Sequence, residues 1–184
     1  LFYVFTRILA TTLRIVFGHS ALAGPWLREK GETFTAVSVT STYTLDTTSQ
    51  TYLEYGLTAK TTLIGDIALS RLHTGAEAGA VTASLKRALS PPDAATKWAY
   101  ELGVGVSWND MMRKPHLRSA LSWGKGINWR EKTGWATVEA ATIWDLGAQQ
   151  HVAKMDATLG LNLTPVTSAM VQVFTAFSQD YRTT

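Results

Sequence analysis

The chain has 184 residues, enough for one domain with a sizeable core, and a formal charge of +3 from 17 basic and 14 acidic residues. It has no cysteine, which excludes a disulfide framework and thiolate metal sites. Apolar residues reach 46%, yet no run of about 18 uncharged apolar residues occurs, which argues against membrane-crossing helices in the mature protein.

Residues 1–23 carry Arg7 and Arg14 and no acid, so 15 of the 17 basic residues face 14 acidic ones in the remainder. No Lys/Arg cluster interleaves with aromatics, and nucleic-acid binding is set aside. The same 23 residues resemble a secretory signal, with apolar stretches and then Ala21-Leu22-Ala23, an A-x-A cleavage pattern before Gly24. Arg14 and Gly18-His19-Ser20 interrupt the apolar character, and a mature amphipathic helix is the alternative. The expectation is a signal-like helix over 1–23 and a mature domain over 24–184. Trp26-Leu-Arg-Glu-Lys-Gly-Glu32 is compatible with a plug, a cap or a plain lead into the first strand.

From Thr33 onward the residues alternate with the period of two that places successive side chains on opposite faces of a strand. Nine segments read this way: Thr33–Leu45, Thr51–Leu57, Thr61–Leu72, Gly79–Leu89, Trp98–Trp108, His116–Trp123, Trp135–Leu146, Val152–Leu163 and Ser168–Phe177. The fifth is the clearest. Trp98, Tyr100, Leu102, Val104, Val106 and Trp108 share one face, whereas Ala99, Glu101, Gly103, Gly105 and Ser107 share the other. Ten residues at about 3.3 Å each, tilted roughly 45°, rise about 23 Å, close to the apolar band of an outer-membrane barrel.

Across the segments the polar face repeatedly carries one charge amid small residues: Glu54, Asp66, Lys86, Glu101, Arg118, Glu139, Lys154 and Asp156. Mixed charges among Gly, Ala, Ser and Thr suit a narrow wet lumen, and these eight are expected to face it. Tyr43, Trp98, Trp108, Trp123 and Trp144 are the expected aromatic girdle, drawn from seven Trp, six Tyr and six Phe.

The junctions alternate in length. Leu57–Lys60, Ser90–Asp93 and Thr164–Val166 are tight, whereas Asp46–Gln50, His73–Ala78, Asn109–Pro115 and Gly147–His151 are longer and more polar, an asymmetry typical of outer-membrane barrels. Gly124–Thr133 breaks the pattern, being long where a short turn is due. An up-and-down antiparallel meander is the simplest topology. Leu1 is not Met, Asp180-Tyr-Arg-Thr-Thr184 trails off after an apolar strand, and nine strands is an odd number. The expected barrel is therefore truncated at its C-terminus, open along the first and ninth segments and lacking at least one strand, with three the favoured number.

Several stretches resemble a family of small, largely uncharacterised proteobacterial outer-membrane β-barrel proteins of porin-like type. They are Gly24-Pro-Trp-Leu-Arg-Glu-Lys-Gly-Glu32, Tyr52-Leu-Glu-Tyr-Gly-Leu-Thr58, Leu121-Ser-Trp-Gly-Lys-Gly126 and Lys154-Met-Asp-Ala-Thr-Leu-Gly-Leu-Asn-Leu163. The resemblance spans most of residues 24–177. It implies an exported protein of the bacterial outer membrane, bounded by lipid and handled by the barrel-assembly machinery. It also implies closing strands and a terminal aromatic that this sequence lacks, and it transfers no catalytic residue.

For chemistry, His19, His73, His116 and His151 are scattered, with no spacing that favours a metal. Ser70 near His73 and Ser122 near His116 are the candidates for a hydrolase, but neither has an elbow motif or an oxyanion donor. No cofactor and no catalysis is expected. The leading reading is a passive narrow pore or small-solute channel with a charged lumen. The alternatives are a soluble periplasmic β-sandwich binding module and an outer-membrane lipid-acting enzyme.

Overall fold

The computed structural model describes residues 13–15, 24–109, 112–147, 150–164 and 167–180. They form one antiparallel sheet in which every strand pairs with its neighbours in sequence. Its strands are β1 (Leu13–Ile15), β2 (Thr33–Ser41), β3 (Thr47–Thr58), β4 (Thr61–Arg71), β5 (Glu77–Ala88), β6 (Thr96–Asn109), β7 (Arg113–Trp129), β8 (Lys132–Asp145), β9 (Gln150–Thr164) and β10 (Thr167–Asp180). The all-β, up-and-down meander of nine long strands is thus the fold of the described residues, and the sheet curls into a half-barrel. The expected N-terminal helix lies outside the described residues except at Leu13–Ile15, which are extended. There Leu13, Arg14 and Ile15 stand opposite Val39, Ser38 and Val37, so the first long strand is not a bare edge.

Two junctions differ most from expectation. β2 stops at Ser41, because Thr42 and Asp46 close a turn: the Thr42 N–H donates to the Asp46 carbonyl, and Leu45 adopts a left-handed φ of 64°. Tyr43 therefore sits in a loop, and β3 begins at Thr47, inside what read as a polar loop. β7 runs on to Trp129 and β8 starts at Lys132, so Arg130-Glu131 is a two-residue hairpin with φ of 56° at Arg130. The seemingly long junction is thus a short turn, and the glycines of Trp123-Gly-Lys-Gly126 had hidden the strand. At the same end lie Ala59-Lys60, the end of β9 and the start of β10, with residues 89–95 as the longer exception. This is the turn end. The other, loop end carries residues 42–46 and 72–76, the end of β6 with the start of β7, and the end of β8 with the start of β9.

Two tryptophans pack on glycines placed directly opposite them. Trp108 stands against Gly79 on the convex side, and Trp135 against Gly160 on the concave side. A Cβ added to either glycine would fall inside the indole ring. The missing side chain is what admits the ring.

Candidate functional site

The concave face is where the sheet buries its polar groups. The register puts Glu54 of β3, Thr62 of β4, Lys86 of β5 and Glu101 of β6 on this face, and all four are buried. Arg118 of β7 links two carboxylates: its Nε donates to Glu101 at 2.8 Å and its Nη2 to Glu139 of β8 at 2.6 Å. The Ser122 hydroxyl donates to the other Glu139 oxygen at 2.9 Å. Each carboxylate is therefore charge-compensated, as burial requires.

Asp66 accepts from Gln50 at 2.7 Å and lies within electrostatic reach of Arg118 and Lys154. Glu139 and Asp156 stand opposite each other in the β8–β9 ladder, with Lys154 two residues from Asp156. All eight residues singled out as lumen-facing lie on the concave face. The curl is tight, since Tyr52 of β3 lies within electrostatic reach of Glu139, five strands away. A small apolar patch, Ile64, Ala99, Ala120, Trp135 and Ala141, is buried among these polar groups. The Trp135 Nε1–H has no acceptor, the one such buried side-chain atom among the described residues.

Toward the loop end the concave face opens into a hollow of about 370 Å³. Ala68, Ser70, Ala78, Ala80 and Ser107 line it, with Lys114 and Asp145 at its edge, 3.5 Å apart. Small side chains are what leave this space.

At the turn end the segment Gly24–Gly31 lies on the concave face, a position the sequence left open among three possibilities. Its Arg28 pairs with Glu54 at 2.5 Å, and the Arg28 N–H donates to the Thr62 hydroxyl at 3.0 Å. Lys86 Nζ donates to the Gly24 carbonyl at 3.2 Å, and Tyr52 donates its hydroxyl proton to Glu54 at 2.7 Å. On the far wall Pro25 and Trp26 lie where a Gly124 side chain would stand, and Gly24 lies against Thr137. The N–H of Gly31 donates to the Gly56 carbonyl, and the N–H of Gly56 to the Glu32 carbonyl. The left-handed φ of Gly24 (102°) and Gly31 (87°) brackets the segment, and these two glycines, with Pro25, are the signal in the sequence that could have marked a folded-back path.

The convex face is apolar. Leu53, Ile67, Val81, Leu102, Val104, Leu121, Leu159 and Val171 are exposed there. Trp98 stands opposite Trp123 toward the turn end. Trp108 and Trp144 lie toward the loop end, Trp144 with its ring centroid 5.5 Å from that of His151. Of the five expected girdle residues, only Tyr43 is off the strands.

The serine–histidine pairs are not assembled. Ser122 serves Glu139 and Ser70 pairs with Thr48, while His116 bonds Thr82 and His73 bonds Asp46. Among the described residues no three His, Asp or Glu side chains converge as a metal ion would need. No family model matches the chain, and neither the curated proteins nor the solved structures include a significant match.

Proposed function

We propose that the chain is a bacterial outer-membrane β-barrel protein, a narrow passive pore for small solutes whose wall is the charged concave face. The observation that carries this reading is the inversion of burial. Glu54, Lys86 and Glu101 are 3%, 3% and 4% exposed, whereas Leu102 and Val104 on the other face are 59% and 61% exposed. A sheet that hides ion pairs and displays leucine and valine is matched to hydrocarbon outside and water inside. Monomeric soluble proteins rarely display an apolar face of this extent.

Two further features support the reading. Trp98 and Trp108 lie ten residues apart on β6, the spacing of two interfacial belts about 23 Å apart on a strand tilted roughly 45°. The chain direction puts the short turns and the Gly24–Gly31 segment at one end, the arrangement of a barrel whose short turns face the periplasm. Lipid is then the lateral partner, and the barrel-assembly machinery the partner during biogenesis. A soluble β-sandwich would need a second sheet over the apolar face, and the described residues form one sheet.

The test is outer-membrane fractionation with heat-modifiable migration of the detergent-extracted, unboiled protein. Recovery in the soluble periplasmic fraction, with no change of migration on boiling, would end the proposal.

A further inference from the structure

We propose that Gly24–Gly31 is a seated plug that closes the turn-end mouth of the lumen and limits solute passage. This rests on the reading of the protein as an outer-membrane pore.

A segment that merely led into β2 would need contacts only with β2 and β3. This one reaches across the curl, from Glu54, Thr62 and Lys86 on β3, β4 and β5 to Gly124 and Thr137 on β7 and β8. It therefore spans the opening rather than skirting its rim. The wall is shaped to receive it. A Cβ at Gly56 would fall on the Glu29 carbonyl, and one at Gly124 would lie 2.8 Å from the Pro25 ring. The wall is also charged to receive it, because Arg28 and Lys86 both reach Glu54 while Lys86 binds the Gly24 carbonyl. Withdrawing the segment leaves Glu54 with one cation instead of two and returns the buried Lys86 to a single carboxylate partner. Loss of a buried charge's partner is costly, so the segment is held in place rather than sampled in and out.

The chain lacks cysteine, which permits a direct test on the full chain. Pro25→Cys places one thiol at a buried position of the segment, shielded from a membrane-impermeant maleimide only if the segment is seated. The expected result is that the folded, heat-modifiable protein labels several-fold more slowly than the boiled protein. Replacing residues 25–30 by a Gly/Ser linker of equal length should raise arabinose flux several-fold. Arg28→Ala, a milder change that keeps the segment, should give an intermediate rise. A heat-modifiable Pro25→Cys protein that labels as fast folded as boiled would overturn the plug while leaving the barrel reading intact. So would a heat-modifiable linker variant with wild-type flux. Absence of heat-modifiable migration in the wild-type protein would instead strike the barrel reading itself.

Discussion

The Nε–H of Arg28 donates to Oε2 of Glu54 across 26 residues of sequence, fastening the chain before the first long strand to the buried wall of β3. Glu54 keeps Tyr52 and Lys86 as partners when Arg28 is removed, so the loss is that of one charge-assisted hydrogen bond rather than of the whole cluster. Arg28→Ala should destabilise the protein by about 1.5–3 kcal/mol. Denaturant unfolding in detergent measures this. Glu54→Gln in the Arg28→Ala background should then cost less than in the wild type, because the two side chains are coupled.

Convex and concave positions should respond differently to a cation. Val104→Arg places a guanidinium on the exposed apolar face and should cost about 2–4 kcal/mol in a bilayer. Gln172, which donates to Thr158 from the concave side of β10, should accept arginine with little loss. Gly103 is a poor concave control, since a side chain there meets Ser84. Refolding yield into liposomes compares the two variants, and equal yields would contradict a lipid-facing convex surface.

The glycine beneath Trp135 is a packing requirement. Gly160→Ala should displace the indole and cost about 1–3 kcal/mol, as overpacking does. Gly126, with nothing within 4 Å of an added Cβ, is the control. Gly126→Ala should be neutral or stabilise the strand by about 0.5–1 kcal/mol. The temperature at which unboiled protein loses its compact migration reads out both.

The loops at the far end are joined by one carboxylate. Asp46 accepts the backbone N–H of His73 at 2.9 Å and bonds its Nδ1 at 3.0 Å, and these bonds, the backbone one first, lower its pKa from 3.8 to about 2. A carboxylate with a lowered folded-state pKa contributes above its unfolded value and loses that contribution as pH falls through the folded one. The tie between the 42–46 and 72–76 loops should thus be intact from neutral pH to about pH 4 and fail as pH approaches 2. A carboxyl-carbon NMR titration of Asp46 should give the low midpoint, and Ala replacing His73, which keeps the backbone N–H and removes only the ring contact, should raise it part of the way toward the ordinary value.

The sequence by itself determined that nine alternating segments become strands and which side chains share a face. Alternation is a local property: successive Cβ atoms point to opposite sides of any strand, whatever it pairs with. That is why Glu101, Arg118 and Glu139 could be placed on one face before their partners were known. Where side chains fail to declare a face, the reading failed too, as at Gly124 and Gly126, where β7 continues through residues with no Cβ. The turn at Thr42–Asp46 was hidden for the opposite reason, because Tyr43 and Leu45 keep the alternation while threonine and aspartate bonds close the loop. Only the tertiary structure decided that Arg118 bridges two carboxylates, that Lys86 reaches Glu54, and that Arg28 enters the concave face to meet Glu54. Those contacts depend on register and curvature, which join residues far apart in sequence and leave no periodic trace in it.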